Sequence, residues 1–266
     1  MKSTNPSFLF FFITFFIILN CSVAYSQKAV DSSSYFYNLI LKPITSSDLP
    51  NAYVFFENQK RQSLIQKDTI RAILDLRYLA EIQNKIGSLY DSENSAIEAM
   101  TLLDNLKGKD TLIEPRFGIY NHLGMIYRQL KDYDKAIVHY NKALDIAQDS
   151  NHVASIDNNK GNVFKEQKKY ELAINQFQKV YKYYTEQGND LKAARALDNI
   201  GTVKSQANIT DALFYLEKGL QMRIEINHVS GIFTSYLHLT EHYKNINDKR
   251  KAVHYAERAL EIANTN

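Results

Sequence analysis

Residues 120–144 read YNHLGMIYRQLKDYDKAIVHYNKAL. Apolar and small side chains recur at three- and four-residue intervals on either side of a polar centre. Tyr120, Leu123, Gly124 and Tyr127 precede it, and Tyr133, Ala136, Ile137, Tyr140, Ala143 and Leu144 follow it. This spacing lays one apolar stripe on each of two helices, with QLKDYD as the turn between them. Glycine inside a helix costs about 1 kcal/mol relative to alanine. Gly124 therefore marks a point where a neighbouring helix comes too close for a larger side chain.

The same arrangement returns along the chain. DNNKGNVFKEQKKYELAINQFQKV (157–180) and DNIGTVKSQANITDALFYLEKGL (198–220) set Gly161 and Gly201 eleven or twelve residues before Ala173 and Ala212. A fourth copy has Thr240 in the glycine place and Ala252 twelve residues on, and Ala96 fits as an earlier member. The alanines at 96, 136, 173, 212 and 252 are then 40, 37, 39 and 40 residues apart. Such a period indicates stacked repeats, because a lone helical hairpin leaves its apolar faces half exposed and is stabilised by neighbours.

At these residues the array resembles the tetratricopeptide repeat family in its long-repeat form. The segment 117–148 carries Leu123, Gly124, Tyr127, Tyr133, Ala136, Tyr140 and Ala143 in the family's places. The next copies supply Gly161, Phe164, Tyr170, Ala173, Phe177 and Val180, then Leu197, Gly201, Ala212, Leu216 and Gly219, then Tyr236, Leu239, Tyr243, Ala252, Ala256 and Ala259. The resemblance implies an all-α fold, a right-handed superhelical solenoid of antiparallel helix hairpins. The array would occupy 67–266, with units at about 67–106, 117–148, 154–185, 194–226 and 233–264. Residues 27–66 would be a helical lead-in or a divergent capping hairpin, with Ala52 and Phe56 as its loose match after a helix stop at Lys42-Pro43. The chain departs from the family in lacking its tryptophan and its closing proline, in Asp157 in the tryptophan column, and in Lys204 where an aromatic is expected. The long period implies longer loops, at DSNHVAS and EQGNDLK.

Composition excludes several classes. With 32 Lys and Arg against 29 Asp and Glu, the net charge of +3 is near balance. The densest basic run, KEQKKY at 165–170, is mixed with acid, so no nucleic-acid partner is expected. At the N-terminus, Lys2 precedes the apolar run FLFFFITFFIIL (8–19), and Ala24-Tyr25-Ser26 follows. This is the pattern of a secretory signal peptide over 1–26, with cleavage expected after Ser26 and a periplasmic or secreted destination. The run is shorter than the roughly twenty residues that span a bilayer, so no stable membrane insertion of the mature chain is expected. The alternative is a lipoprotein acylated on Cys21, which Asn20 disfavours. Cys21 is the only cysteine, so packing alone must hold the mature chain.

One stretch suggests chemistry. HLTEH at 238–242 matches the His-x-x-Glu-His pattern of one zinc-peptidase class, with His238 and His242 on one helix face and Glu241 before the second. A third ligand is required, and only 24 residues follow His242. In the repeat register the column of His238 holds His122, Asn159 and Asn199, which is a polar column that tolerates histidine. The non-catalytic reading is therefore preferred, with no cofactor and no metal. No Gly-rich phosphate loop, G-x-S-x-G elbow or other catalytic motif is present.

What remains is the surface. In the tetratricopeptide family the first helices line a concave groove whose polar side chains bind extended peptides or partner segments. The resemblance places Asn121, Arg128, Asn158, Asn159, Asn162, Lys165, Arg195, Asp198 and Asn199 in those columns. Asn162, Asn159 and Asn199 resemble part of a set that grips a C-terminal carboxylate, but the basic residues expected at Asn158, Thr234 and His238 are missing. The chain ends at ALEIANTN, on a second helix whose apolar face expects a neighbour. Homodimerisation through that repeat is one expectation. Another is a longer protein resembling membrane-anchored bacterial histidine kinases or regulators, of which this would be the sensory region.

Overall fold

The computed structural model describes residues 48–106 and 112–265. The expected signal peptide, Cys21 and the part of the lead-in before Asp48 lie outside the described residues. The described residues form eleven helices: α1 (Leu49–Ile65), α2 (Thr69–Lys85), α3 (Leu89–Asn105), α4 (Ile113–Gln129), α5 (Tyr133–Asp145), α6 (Ser150–Glu166), α7 (Tyr170–Glu186), α8 (Asp190–Gln206), α9 (Ala212–Glu225), α10 (Val229–Asn245) and α11 (Lys249–Thr265). No strand occurs among them. From α2 on they pair as five hairpins, each helix packed on the next in sequence. Successive first helices also touch, α2 on α4, α4 on α6 and α8 on α10.

The glycine column sets how close each hairpin closes. A Cβ on Gly124 would lie 2.5 Å from the Tyr140 ring, one on Gly161 2.6 Å from the Phe177 ring, and one on Gly201 2.7 Å from Leu216. These separations are well inside van der Waals contact, so the bare backbone of each first helix receives a large side chain of the second. Tyr140, Phe177 and Leu216 are accordingly buried. Where the column is not glycine, the partner is small. Ala80 goes with Ala96, both of them buried, while the place opposite Thr240 falls to Ala256, four residues beyond Ala252 and exposed. Thr240 turns its hydroxyl back onto the Tyr236 carbonyl, at 2.8 Å.

That register corrects one expectation. Ala136, Ala173 and Ala252 are each the fourth residue of their helix, and the fourth residue of α3 is Ser92, not Ala96. Ser92 is buried and donates its hydroxyl to the Ala80 carbonyl at 2.6 Å, which satisfies a polar atom in an alanine place. Ala96 instead occupies the place of Tyr140. In α1, Ala52 and Phe56 fall in the alanine and ring places, and both are fully buried.

The long period is carried by helix, not by loop. DSNHVAS and EQGNDLK enter α6 and α8, and seventeen-residue helices recur on both sides of most hairpins. Asp149 caps the His152 amide at 2.8 Å and Asn189 caps the Lys192 amide at 3.1 Å, so these polar residues start helices. The first helices of the last four hairpins therefore begin at 113, 150, 190 and 229, four residues before the starts expected from sequence. Within the hairpins the turn ends the first helix on a left-handed residue, for example Lys131 (φ 62°), Lys168 (φ 59°) and Asn208 (φ 55°), and Gly188 (φ 64°) does the same between hairpins. Asp132 then donates its amide to the Tyr127 carbonyl at 2.8 Å, closing the helix end.

The glycine–ring contact yields a coupled prediction. Gly161→Ala lowers stability by roughly 1–3 kcal/mol through overpacking, despite alanine's better helix propensity. In a Phe177→Ala background the same change is neutral or stabilising. Urea unfolding of the two single variants and the double variant measures this coupling, and additivity would contradict the packing account.

Candidate functional site: the polar face of the first helices

Two rows of polar side chains run across the first helices, and both follow from the repeat register. The first row joins the residue three before the glycine place on one first helix to the residue two before it on the next. Asn159 of α6 donates its side-chain amide to Asn121 of α4 at 2.8 Å. Asn199 of α8 donates to Asn158 of α6 at 3.2 Å. His238 of α10 lies 3.1 Å from the Asp198 carboxylate of α8. These contacts hydrogen-bond one first helix to the next, and the four asparagines stay half-buried rather than sealed.

The second row lies two helical turns further on, at four and five residues past the glycine place. Gln129 of α4 donates to Asn84 of α2 at 2.9 Å. Arg128 of α4 pairs with Glu166 of α6. Asn245 of α10 donates to Ser205 of α8 at 3.3 Å. The corresponding pair between α6 and α8 is Lys165 with Gln206, and no hydrogen bond joins them among the described residues. At that interruption opens a cleft of about 550 Å³, lined by Lys165, Lys168, Tyr170, Ser205, Asn208 and Asn245 among others. Burial pushes the Lys165 ammonium below its ordinary range, opposed by neighbouring Glu166 and reinforced by Arg128.

The structure thus brings Asn121, Arg128, Asn158, Asn159, Asn162, Lys165 and Asn199 onto one face of the first helices. Asn162 donates to the Asn158 carbonyl of its own helix at 3.1 Å. Arg195 stands exposed on α8. Asp198 is a correction: it is only 1% exposed and lies beneath the face. It accepts from the Arg223 guanidinium of α9, and Ser235 of α10 joins the same cluster at 3.5 Å. Gly219 leaves room for it, since a Cβ there would lie 2.5 Å from the carboxylate. An aspartate in an asparagine column reads as a groove residue until the arginine on another helix is seen. Sequence reasoning also missed Asn84, Gln129, Glu166, Ser205, Gln206 and Asn245. Comparing the columns just past each glycine would have found them as a row, though not their pairing.

HLTEH resolves into the same rows. His238 is bound to Asp198, and His242 Nδ1 lies 2.9 Å from the Ser205 hydroxyl. Burial pushes the His242 pKa down, which favours its neutral form. Glu241 points away and pairs with Lys244 at the surface. Among the described residues, no group of three His, Cys, Asp or Glu side chains converges as a metal site would require. None of the described helices is long and apolar enough to cross a membrane.

Tetratricopeptide repeat family models match residues 118–150 and 152–225, so the chain carries tetratricopeptide repeats over these segments. BtubC from P. vanneervenii is similar in structure with a TM-score of 0.66 at 23% identity, over 83% of this chain and 92% of that one. A Rap protein solved in complex with Competence and Sporulation Factor superposes with a TM-score of 0.60 at 17% identity, over 89% of this chain and 66% of that one. Aspartyl phosphate phosphatase F from Bacillus subtilis does so with a TM-score of 0.65 at 16% identity, over 91% and 74%. At these identities the likeness establishes the solenoid fold. No curated protein matches the chain in sequence.

Two outcomes follow from the polar groups inside the array. Arg223→Met leaves the Asp198 charge buried without its main partner and costs about 3–5 kcal/mol in chemical denaturation, while Asp198→Leu with Arg223→Met recovers most of that loss. His122 is held by Ser92 at 2.9 Å, and burial pushes its pKa from 6.5 down to about 4. Its protonation therefore favours the unfolded chain. Stability present above pH 6.5 is lost as the pH falls toward 4, by up to roughly 3 kcal/mol. His122→Gln flattens that segment of the stability–pH curve.

Proposed function

We propose that this chain, with tetratricopeptide repeats as its scaffold, is an exported, non-catalytic protein that binds an extended peptide or a partner segment along the polar face of its first helices. The observation that carries this reading is the hydrogen-bonded asparagine row crossing α4, α6 and α8. Each asparagine amide has two N–H donors and an acceptor oxygen; Asn158 and Asn159 each use one donor and the oxygen within the row, whereas Asn121 uses its oxygen and Asn199 one donor. Asn162 spends a donor on its own helix and has a carbonyl oxygen with no protein donor among the described residues. A face of half-buried amides, pre-positioned on rigid helices, suits the repeating N–H and C=O groups of an extended chain. Fixing these side chains in advance also reduces the ordering cost of binding.

Export rests on the sequence of residues 1–26, and places the partner among periplasmic or secreted proteins. The same fold holding a second factor, as in the Rap complex, supports binding as a use of such an array. The near-balanced charge argues for a polypeptide partner over nucleic acid.

Random twelve-residue peptides displayed on phage and selected on the immobilised chain test the proposal. A pool converging on shared sequences is expected. Asn162→Ala with Asn199→Ala then weakens the best peptide at least about tenfold, while stability changes by no more than about 2 kcal/mol. Undiminished affinity in that double variant would place binding elsewhere on the molecule.

A further inference from the structure

We propose that the cleft beside Lys165 is a subsite for an acidic side chain of the bound peptide. This assignment rests on the peptide-binding reading above and adds a charge requirement to it. The second row of polar contacts repeats from hairpin to hairpin: Asn84 with Gln129, Arg128 with Glu166, Ser205 with Asn245. Only the Lys165–Gln206 rung is not made, although both residues hold the register positions that pair everywhere else among the described first helices. The cleft opens there, with Lys165 and Gln206 both in its lining.

Lys165 is mostly withdrawn from water, and burial disfavours its charge. No carboxylate lies within salt-bridge distance of it among the described residues. Glu166, its neighbour in sequence, is turned to Arg128. Lys165, Lys168 and Glu166 line the opening, and Glu166, the one carboxylate of that lining, is paired with Arg128, so the local balance is positive. Half-buried ammonium groups are stabilised by an anion that replaces the lost water.

The adjacent rung shows what kind of anion fits. There a basic side chain of one first helix, Arg128, is completed by a carboxylate, Glu166, projecting from the next. A carboxylate arriving from a ligand would complete Lys165 in the same manner. Asn158, Asn162 and Lys165 are spaced four and three apart, so they share one face of α6, with Lys165 about 10 Å along from Asn158. A peptide lying on the asparagines passes the mouth of the cleft, which is large enough for an aspartate or glutamate side chain. Around it, Asn208, Asn245 and Tyr170 offer neutral donors.

The test uses the same displayed peptides, whose carboxyl ends are joined to the coat protein and so carry no free terminus. Selections run in parallel on the full chain and on its Lys165→Gln variant, which keeps length and polarity. An Asp or Glu at one fixed register is expected in the first pool and no such preference in the second. In a synthetic peptide from the first pool, changing that acid to its amide weakens binding roughly tenfold to the unaltered chain and less than about twofold to the variant. A convergent pool with no fixed acid overturns the subsite and leaves peptide binding standing. A fixed acid retained on Lys165→Gln also overturns it, because the acid then binds elsewhere. If an acid-free peptide gains as much from a free C-terminal carboxylate, and only with Lys165 intact, the subsite belongs to the chain terminus and the side-chain assignment fails. No convergent pool on either protein removes the peptide reading and this inference together.

Discussion

The close approach of helix backbone to side chain at Gly124–Tyr140, Gly161–Phe177 and Gly201–Leu216 holds each hairpin at one separation and one rotation. Everything else in the array depends on this. An aromatic ring seated against bare backbone leaves neither helix free to turn about its axis, because any rotation would drive a neighbouring side chain into the ring. The stripe that is left faces the next hairpin, and the opposite stripe becomes a polar face. At 80 and 96 both places hold a buried alanine, so that hairpin closes without a ring.

With rotation fixed, polar residues at the same offset from each glycine fall into line across hairpins. The rows Asn121–Asn159, Asn158–Asn199 and Asp198–His238 therefore arise from ordinary register, without any special loop. Their hydrogen bonds join first helices whose direct packing is otherwise modest. Under this surface the Asp198–Arg223 pair replaces an apolar contact between α8, α9 and α10. A buried pair of this kind contributes little net stability over an apolar alternative, yet its charges tolerate few arrangements. It fixes how the fourth hairpin meets the fifth. The interrupted rung at Lys165 is the counterpart: the one place among the described first helices where the row leaves a cation without a partner and space beside it.

Much of this was legible in the residues alone. The glycine and alanine columns, the two-helix unit and the polar columns of the first helices follow from period and residue size. Three things were misread, each for a physical reason. Polar runs such as DSNHVAS read as loops because capping and helix-surface residues share a composition, and only the Asp149 cap distinguishes them. Ala96 read as the repeat alanine because a serine can occupy that place when its hydroxyl finds a carbonyl, here that of Ala80. Asp198 read as groove surface because its arginine lies 25 residues on, in another helix.

Sequence by itself determined that the chain is a stack of helical hairpins, since periodic burial and small-residue columns depend only on local geometry and side-chain volume. It also determined that HLTEH belongs to a repeat. Tertiary structure decided which polar residues are spent on one another and which remain for a partner. Hydrogen bonds between first helices join residues some forty positions apart, at distances that the pattern along one chain does not encode. The same Lys, Asn and Asp columns can be ladder, buried pair or open subsite, and only their placement in space separates the three.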